Sequence, residues 1–266
     1  MTDPGRLSRP RYAAPAYDGA LAWRQGPAIV SLAAGALVWE IAARALHVPF
    51  IVPIAAVAGA LWRMTLDGEI PRSLASSVGA LATGFGLAAI AGVPVGLISG
   101  RSRRVADVLD PCLDALVSVP SLVFVPVFFG IFGLGRVTHV AVVFLYAFVI
   151  VAVMARSGLA TLDPAYVEMA RAFGASERQI LRRILLPGAL PSVVAGLQLG
   201  MGRAVRGLIN VEMLIGSTGF GALLRRYGTR FDAAGVYAVV LVLVVLVAAG
   251  NSAMRVVQRR VDGSGR

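Results

Sequence analysis

The chain has 266 residues, of which 58% are hydrophobic and 15% charged, and its mean hydropathy is +0.78. A water-soluble domain carries about 45–50% apolar and about 25% charged residues, so this composition excludes an ordinary soluble fold and points to a chain covered by lipid. The formal charge of +11 would suit nucleic-acid binding in a soluble protein; here all 25 basic residues are arginine, and the excess reads as the positive charge that membrane proteins keep in their inner loops.

Residues 1–26 are polar and rich in Pro and Arg, without the apolar core of a signal peptide. They read as a cytoplasmic tail. A helix needs about 20 apolar residues to cross the hydrocarbon core, and six segments are predicted to do so. The first, 27–46, is interrupted by Glu40 and Arg44, which are four apart and can pair along the helix. A short surface helix is expected over 54–66. The second span, 74–99, lies within an uncharged run, 73–100. The third is placed at 108–131, overlapping the uncharged run 115–135, and the fourth at 137–155. The fifth, 190–215, contains Arg203, Arg206 and Glu212; the sixth is 233–254, followed by a tail at 257–266. The fold class is all-α, a polytopic membrane protein of about six spans in one membrane domain, 27–256. Helices rather than porin strands are expected, because Val239 to Val244 is uniformly apolar where a barrel strand alternates. With the N-terminus inside, sixteen arginines fall on inner segments and six on outer ones, which places both termini in the cytoplasm. Pro94, Pro120 and Pro126 lie inside spans, where each can kink its helix. Phe124, Phe128, Phe129 and Phe132 fall near helical spacing and read as packing.

The cytoplasmic segment between spans four and five, residues 163–187, carries the strongest local signals. Asp163 suits an N-cap and Pro164 the first helical position. Gly174 can end that helix in a left-handed conformation. Ser176 and Gln179 then form a capping box for a second helix, which Pro187 is expected to limit. Two short arginine-rich helices with a tight bend suit docking into a groove on another protein.

The run Glu168-Met169-Ala170, three residues, Gly174, nine residues, then Ile184, Leu186 and Pro187 resembles the EAA motif of binding-protein-dependent ABC importer permeases. Met169 stands where that pattern usually has Ala; it is larger but flexible. Val119-Pro120-Ser121-Leu122, Val125-Pro126, Phe129-Gly130, Gly133-Leu134-Gly135, Trp39-Glu40, Gly200 to Arg203, and Glu212-Met213-Leu214 are similar to the nitrate/sulfonate/taurine branch, so the resemblance covers roughly 30–258. It implies two permease copies, expected as a homodimer in the lipid bilayer, forming a pathway. It also implies separate ATP-binding-cassette ATPase subunits gripping the segment 163–187, and an extracytoplasmic binding protein delivering substrate. Glu168, Ala170, Gly174, Ile184, Leu186 and Pro187 are the coupling positions so implied.

Arg203 and Arg206 share a helix face. They either line the pathway and attract an oxyanion, for which the arginine fork is suited, or pair within the bundle or across the dimer. With Glu212 they are the candidate pathway residues. The chain contains no lysine, so it lacks the phosphate-reaching Lys of a P-loop. No catalytic set, cofactor or metal is expected, since His47 and His139 are far apart in sequence. The expected cargo is a sulfonate, taurine or nitrate, or alternatively a neutral thiamine pyrimidine precursor. A stand-alone secondary transporter would instead show broken helices paired across two halves.

Overall fold

The computed structural model describes residues 25–46, 48, 50–216 and 218–263. The expected N-terminal tail falls almost wholly outside them, as do His47 and residues 264–266 of the C-terminal tail. All regular structure among the described residues is helical.

The chain separates into two compact units, residues 1–54 and 55–266. In the first, α1 runs Gln25–Leu46. Its Glu40 accepts from Arg44 at 2.6 Å, as expected from the four-residue spacing. The same carboxylate accepts the backbone N–H of Ile54 at 2.7 Å, and the Trp39 indole N–H donates to the Val52 carbonyl at 3.0 Å. The chain leaving α1 is thus folded back on Glu40 and Trp39.

The second unit contains α2 (Ile54–Leu66), α3 (Glu69–Arg101), α4 (Arg103–Ser118), α5 (Phe124–Phe132), α6 (Arg136–Ala160), α7 (Pro164–Ala172), α8 (Glu177–Ile180), α9 (Leu186–Ile215), α10 (Gly219–Thr229) and α11 (Ala233–Gly263). Among the described residues four helices are long and apolar enough to cross a membrane: Glu69–Arg101, Arg136–Ala160, Glu177–Ile215 and Ala233–Gly250. The bent pair Arg103–Ser118 and Ser121–Phe132 makes a fifth if counted as one span. Four or five such spans among the described residues are roughly consistent with the expected number, about six.

Small residues bring the central helices together. In α3, Gly84, Gly92, Gly96 and Gly100 recur at multiples of four, and each lies against α6. A Cβ on Gly84 would sit 2.7 Å from Val143, one on Gly92 3.1 Å from Val151, and one on Gly96 2.7 Å from the Ala155 Cβ and against the Ala152 carbonyl. On the other side of α6, Gly196 and Gly200 of α9 approach Met154 and Val151, and Gly207 approaches the Tyr146 ring. Lipid tails are as apolar as Leu, so close packing of this kind rather than water exclusion holds membrane helices. Residue order along these contacts fixes direction: α3 and α6 run parallel, and α9 antiparallel to both.

That direction settles what the bent pair does. The end of α3 is level with the end of α6, where Gly100 meets Arg156 and Leu159, and Arg136 at the start of α6 reaches Gly79. The chain from 102 to 135 therefore has to return through the full height of the bundle, as one broken crossing. Within the expected third span, 108–131, where Pro120 was expected to allow a kink, α4 and the Ser121–Phe132 arm meet at 89°. Val119 and Pro120 are extended, with ψ of 130° and 114°. The cause is Pro120, which has no N–H to continue the ladder and pushes the preceding residue out of the helical region. Pro94, by contrast, stays within an unbroken α3. The 54–66 helix appears with the expected bounds, but Ala60 and Met64 are buried against Phe220, Leu223, Ala238 and Val239. Phe128 and Phe129 pack on Val125, Val142 and Val211.

Candidate functional site

The segment 163–187 folds as its caps dictate. The Asp163 carboxylate accepts the Ala165 N–H at 2.9 Å, and Pro164 opens α7. At the far end, Gly174 has φ +77°. Its N–H donates to the Arg171 carbonyl and that of Ala175 to the Ala170 carbonyl, at 2.9 and 3.0 Å. This is the paired bonding of a Schellman cap, which needs a left-handed residue at 174 and brings 170 against 175. The motif's Gly and its second small residue thereby acquire a local cause. The Ser176–Gln179 capping box is present in both directions.

α7 buries none of its residues. Tyr166, Met169 and Phe173 are exposed, Phe173 at 85%, and their spacing of three and four places them on one face. Glu168 is also exposed and makes no hydrogen bond or ion pair among the described residues. The neighbouring Glu177 is held from two sides. Arg171 Nε donates to Oε1 at 2.9 Å and Arg101 Nη2 to Oε2 at 2.6 Å. Nearby, Asp110 of α4 pairs with Arg156 of α6 and accepts from the Ser99 hydroxyl at 3.1 Å.

The expectation that Pro187 limits the second helix is corrected. α8 passes through a π turn, Leu181–Leu185, straight into α9, giving one helix Glu177–Ile215. The Leu186 N–H donates to the Leu181 carbonyl, five residues back. The wider turn accommodates the missing N–H and the ring of Pro187, which would otherwise clash with the preceding turn. Ile184 is half-buried, while Leu186 and Pro187 are exposed.

The three ionisable residues of α9 do not form one group. At about 100° per residue, Glu212 lies about 180° around the helix from Arg203. Arg206 is exposed and donates only to the Gly202 carbonyl of its own helix, at 3.2 Å. Arg203 is half-buried and has no ionic partner among the described residues. Glu212 is 1% exposed. Its carboxylate accepts the Ser77 hydroxyl of α3 at 2.5 Å and the Gly221 N–H of α10 at 2.9 Å, while the Phe220 N–H donates to Ser77 Oγ at 3.3 Å. Glu212 therefore caps α10 from another helix, where the free N–H groups favour an anion. Sequence spacing could not reveal this, because Ser77 is 135 residues away. Farther along α10, Tyr227 donates to Glu69 at 2.6 Å and Arg226 pairs with it at 2.7 Å. Burial and the Glu69 carboxylate push the Tyr227 phenol up to about 12. A cleft of about 280 Å³ opens beside this pair, walled by Glu69, Arg72, Ser73, Thr218 and Arg226. No cluster of three metal-ligating side chains forms among the described residues.

The profile of the family described as binding-protein-dependent transport system inner membrane component matches residues 92–263. The chain belongs to that family. It is a transmembrane permease subunit of an ABC importer, not an enzyme, and ATP hydrolysis belongs to a separate subunit. The taurine transport system permease protein of Escherichia coli is 29% identical over 195 residues, 73% of this chain and 71% of that protein. The formylaminopyrimidine transport permease protein of Halalkalibacterium halodurans is 30% identical over 223 residues, 82% of this chain and 88% of that protein. A solved structure of the inward-facing MetNI methionine ABC transporter shares the fold with a TM-score of 0.64 over 74% of this chain and 98% of that one, at 21% identity.

Proposed function

We propose that this permease forms the pathway for a small oxyanion, a sulfonate, taurine or nitrate, and that residues 163–187 dock a separate ATPase, with both termini in the cytoplasm. The observation that carries the docking role is α7 itself: a capped helix with no buried residue that presents Tyr166, Met169 and Phe173 to its surroundings. Such an apolar face on a charged segment fits a groove in a partner protein. Glu168 lies beside it, and Ala170 and Gly174 hold its end, while Ile184, Leu186 and Pro187 carry the link into α9.

For the cargo, Arg203 and Arg206 share a face of α9 and have no ionic partner among the described residues. An intramembrane charge costs on the order of 2.5–3.5 kcal/mol or more unless it meets protein or water. A second copy of the chain facing this side would enclose a wet pathway lined by guanidinium groups, and an extracytoplasmic binding protein would deliver the anion to it. The 29% identity to a taurine permease agrees with this reading. The formylaminopyrimidine relative, matched over more of both chains, favours a second one: the same machinery carrying a neutral pyrimidine precursor. Glu212, on the opposite side of α9 and closed off by Ser77 and α10, is better placed as structure than as pathway.

Uptake in cells expressing the permease with its ATPase and binding protein separates these readings. Arg203→Gln and Arg206→Gln should each reduce uptake of an anionic cargo at unchanged permease level; normal anion uptake in both variants removes the oxyanion proposal. Gly174→Val should reduce co-purification of the ATPase, because a β-branched residue at φ +77° costs on the order of 1–3 kcal/mol of strain and deforms the bend. Undiminished ATPase recovery with that variant counts against docking through this segment.

A further inference from the structure

α7 is tied to the rest of the chain in an unusual way. It contributes no buried residue, so core packing does not fix its angle. Beneath it lies a cleft of about 240 Å³ lined by Gly100, Arg101, Leu159, Val167, Arg171 and Leu185. The helix therefore rides over open space. Its connection to α8 is the four-residue link 173–176, turned at the left-handed Gly174, around which nothing would meet a Cβ within 4 Å. The cap bonds of that link are local, so a side chain that reaches another helix is needed to fix where α7 stands relative to α3.

Glu177 is placed to do so. One carboxylate oxygen takes Arg171 of α7 and the other takes Arg101 at the end of α3. The carboxylate sits on the first residue of α8, so it links three helices across the cleft. Arg101 and Glu177 are 76 residues apart in sequence, and all three side chains are partly exposed, between 37% and 57%. Pairs this exposed add little to stability. Their consequence lies in geometry, because a carboxylate using a separate oxygen for each guanidinium fixes where α7 stands relative to α3. The adjoining Asp110 network ties that same end of α3 to α4 and α6. A force applied to α7 thus meets a charged junction before it reaches the spans.

We infer that Glu177 is a positioning residue for transport: by bridging Arg171 and Arg101 it sets the angle of the docking helix and transmits movement of that helix to α3. The inference rests on the docking role proposed above for residues 163–187. When the bridge is cut, α7 still meets its partner through Tyr166, Met169 and Phe173, but its movement is taken up over the cleft rather than passed to α3.

The test uses the assembled transporter, permease with its ATPase and binding protein, in lipid nanodiscs for ATP hydrolysis and in liposomes for transport. Arg101→Gln, outside the docking segment, should leave the ATPase bound and hydrolysing while cargo moved per ATP falls at least severalfold. Glu177→Gln should show the same loss of cargo per ATP, and the double variant should be no worse than either single one, since both cut the same link. Glu177→Asp, which keeps the charge at shorter reach, should recover part of the ratio. An unchanged ratio in Glu177→Gln overturns the inference, as do losses from Glu177→Gln and Arg101→Gln that multiply in the double variant. Loss of ATPase binding in Glu177→Gln also overturns it, by making Glu177 a contact of the dock itself. If the unaltered permease fails to retain the ATPase, the docking proposal fails first, and the two failures are told apart by that control.

Discussion

Replacing Glu212 with Ala tests whether a buried carboxylate holds α10 onto α3 and α9. The substitution leaves the Ser77 hydroxyl and the Gly221 N–H without their acceptor in a site that is 1% exposed. Each orphaned buried donor costs about 1–3 kcal/mol. Hydrogen bonds within membrane bundles average nearer the low end, because the unfolded chain in lipid also finds partners. The sum is therefore about 2–4 kcal/mol. At about 2–4 °C per kcal/mol for a chain of this size, the melting temperature of the purified protein in detergent should fall by roughly 5–15 °C. Glu212→Gln keeps one accepting oxygen and should lose about half as much. Ser77→Ala, which removes one donor and one acceptor from the same cluster, should fall between Gln and no change. Hydrogen exchange read by mass spectrometry localises the effect: the Phe220 and Gly221 amides should exchange faster in Glu212→Ala, while amides of the α3–α6 contact should not. A melting temperature within about 2 °C of the parent protein, with unchanged exchange at 220 and 221, would show that the carboxylate is not the cap of α10.

Two further expectations concern packing and titration. Gly96→Val should abolish stable expression, because its Cβ would press on the Ala152 carbonyl and the Ala155 methyl and separate α3 from α6; Gly86→Ala, with nothing within 4 Å, should express normally. Equal expression of the two variants refutes the close-packed seam. Tyr227→Phe should lower thermal stability at neutral pH by removing the bond to Glu69. The phenol is raised from 10.0 to about 12 in the fold, so the folded state holds this proton more tightly than the unfolded chain. The contribution is then complete below pH 10 and lost as the pH rises toward 12. The gap between Tyr227→Phe and the parent should close across that window, and a gap independent of pH contradicts the assignment.

The parts of this molecule that depend on near neighbours were legible in its sequence. The Asp163 cap, the Gly174 bend, the Ser176–Gln179 box and the Glu40–Arg44 pair each involve residues within five positions, and each forms as expected. Uncharged length located α3, α6 and α11 for the same reason. Failures came where two local rules compete or where the partner is remote. Pro120 and Pro187 carry the same chemistry, yet one breaks its helix by 89° and the other is absorbed in a π turn. The difference lies in surroundings: the π turn before Pro187 is flanked by Ile180 and Ala189, both fully buried, whereas Ser121 and Leu122 next to Pro120 are not buried. The bonds of Glu212 to Ser77 of α3 and Gly221 of α10 lie beyond any periodic signal.

The π turn bears on how a membrane subunit could answer a motor outside the membrane. A helix that stopped at Pro187 would leave a flexible joint between the docking segment and α9, and joints of that kind absorb displacement. The continuous helix Glu177–Ile215 has 39 residues, about 58 Å at ~1.5 Å per residue, more than the hydrocarbon thickness. It begins with α8, which carries Glu177, and near its other end carries Glu212, which holds α10. α9 is also the helix on which Arg203 and Arg206 lie. If α8 receives the stroke from α7, as proposed, no helix break intervenes between α8, the arginine face and the cap on α10. Such a rod is suited to rigid-body switching between two packed states. The flexible elements lie elsewhere, at Gly174 and at the Val119–Pro120 break. Motion would then concentrate at those two places, where the backbone is already non-helical, while the α3–α6–α9 seam of small residues moves as a unit.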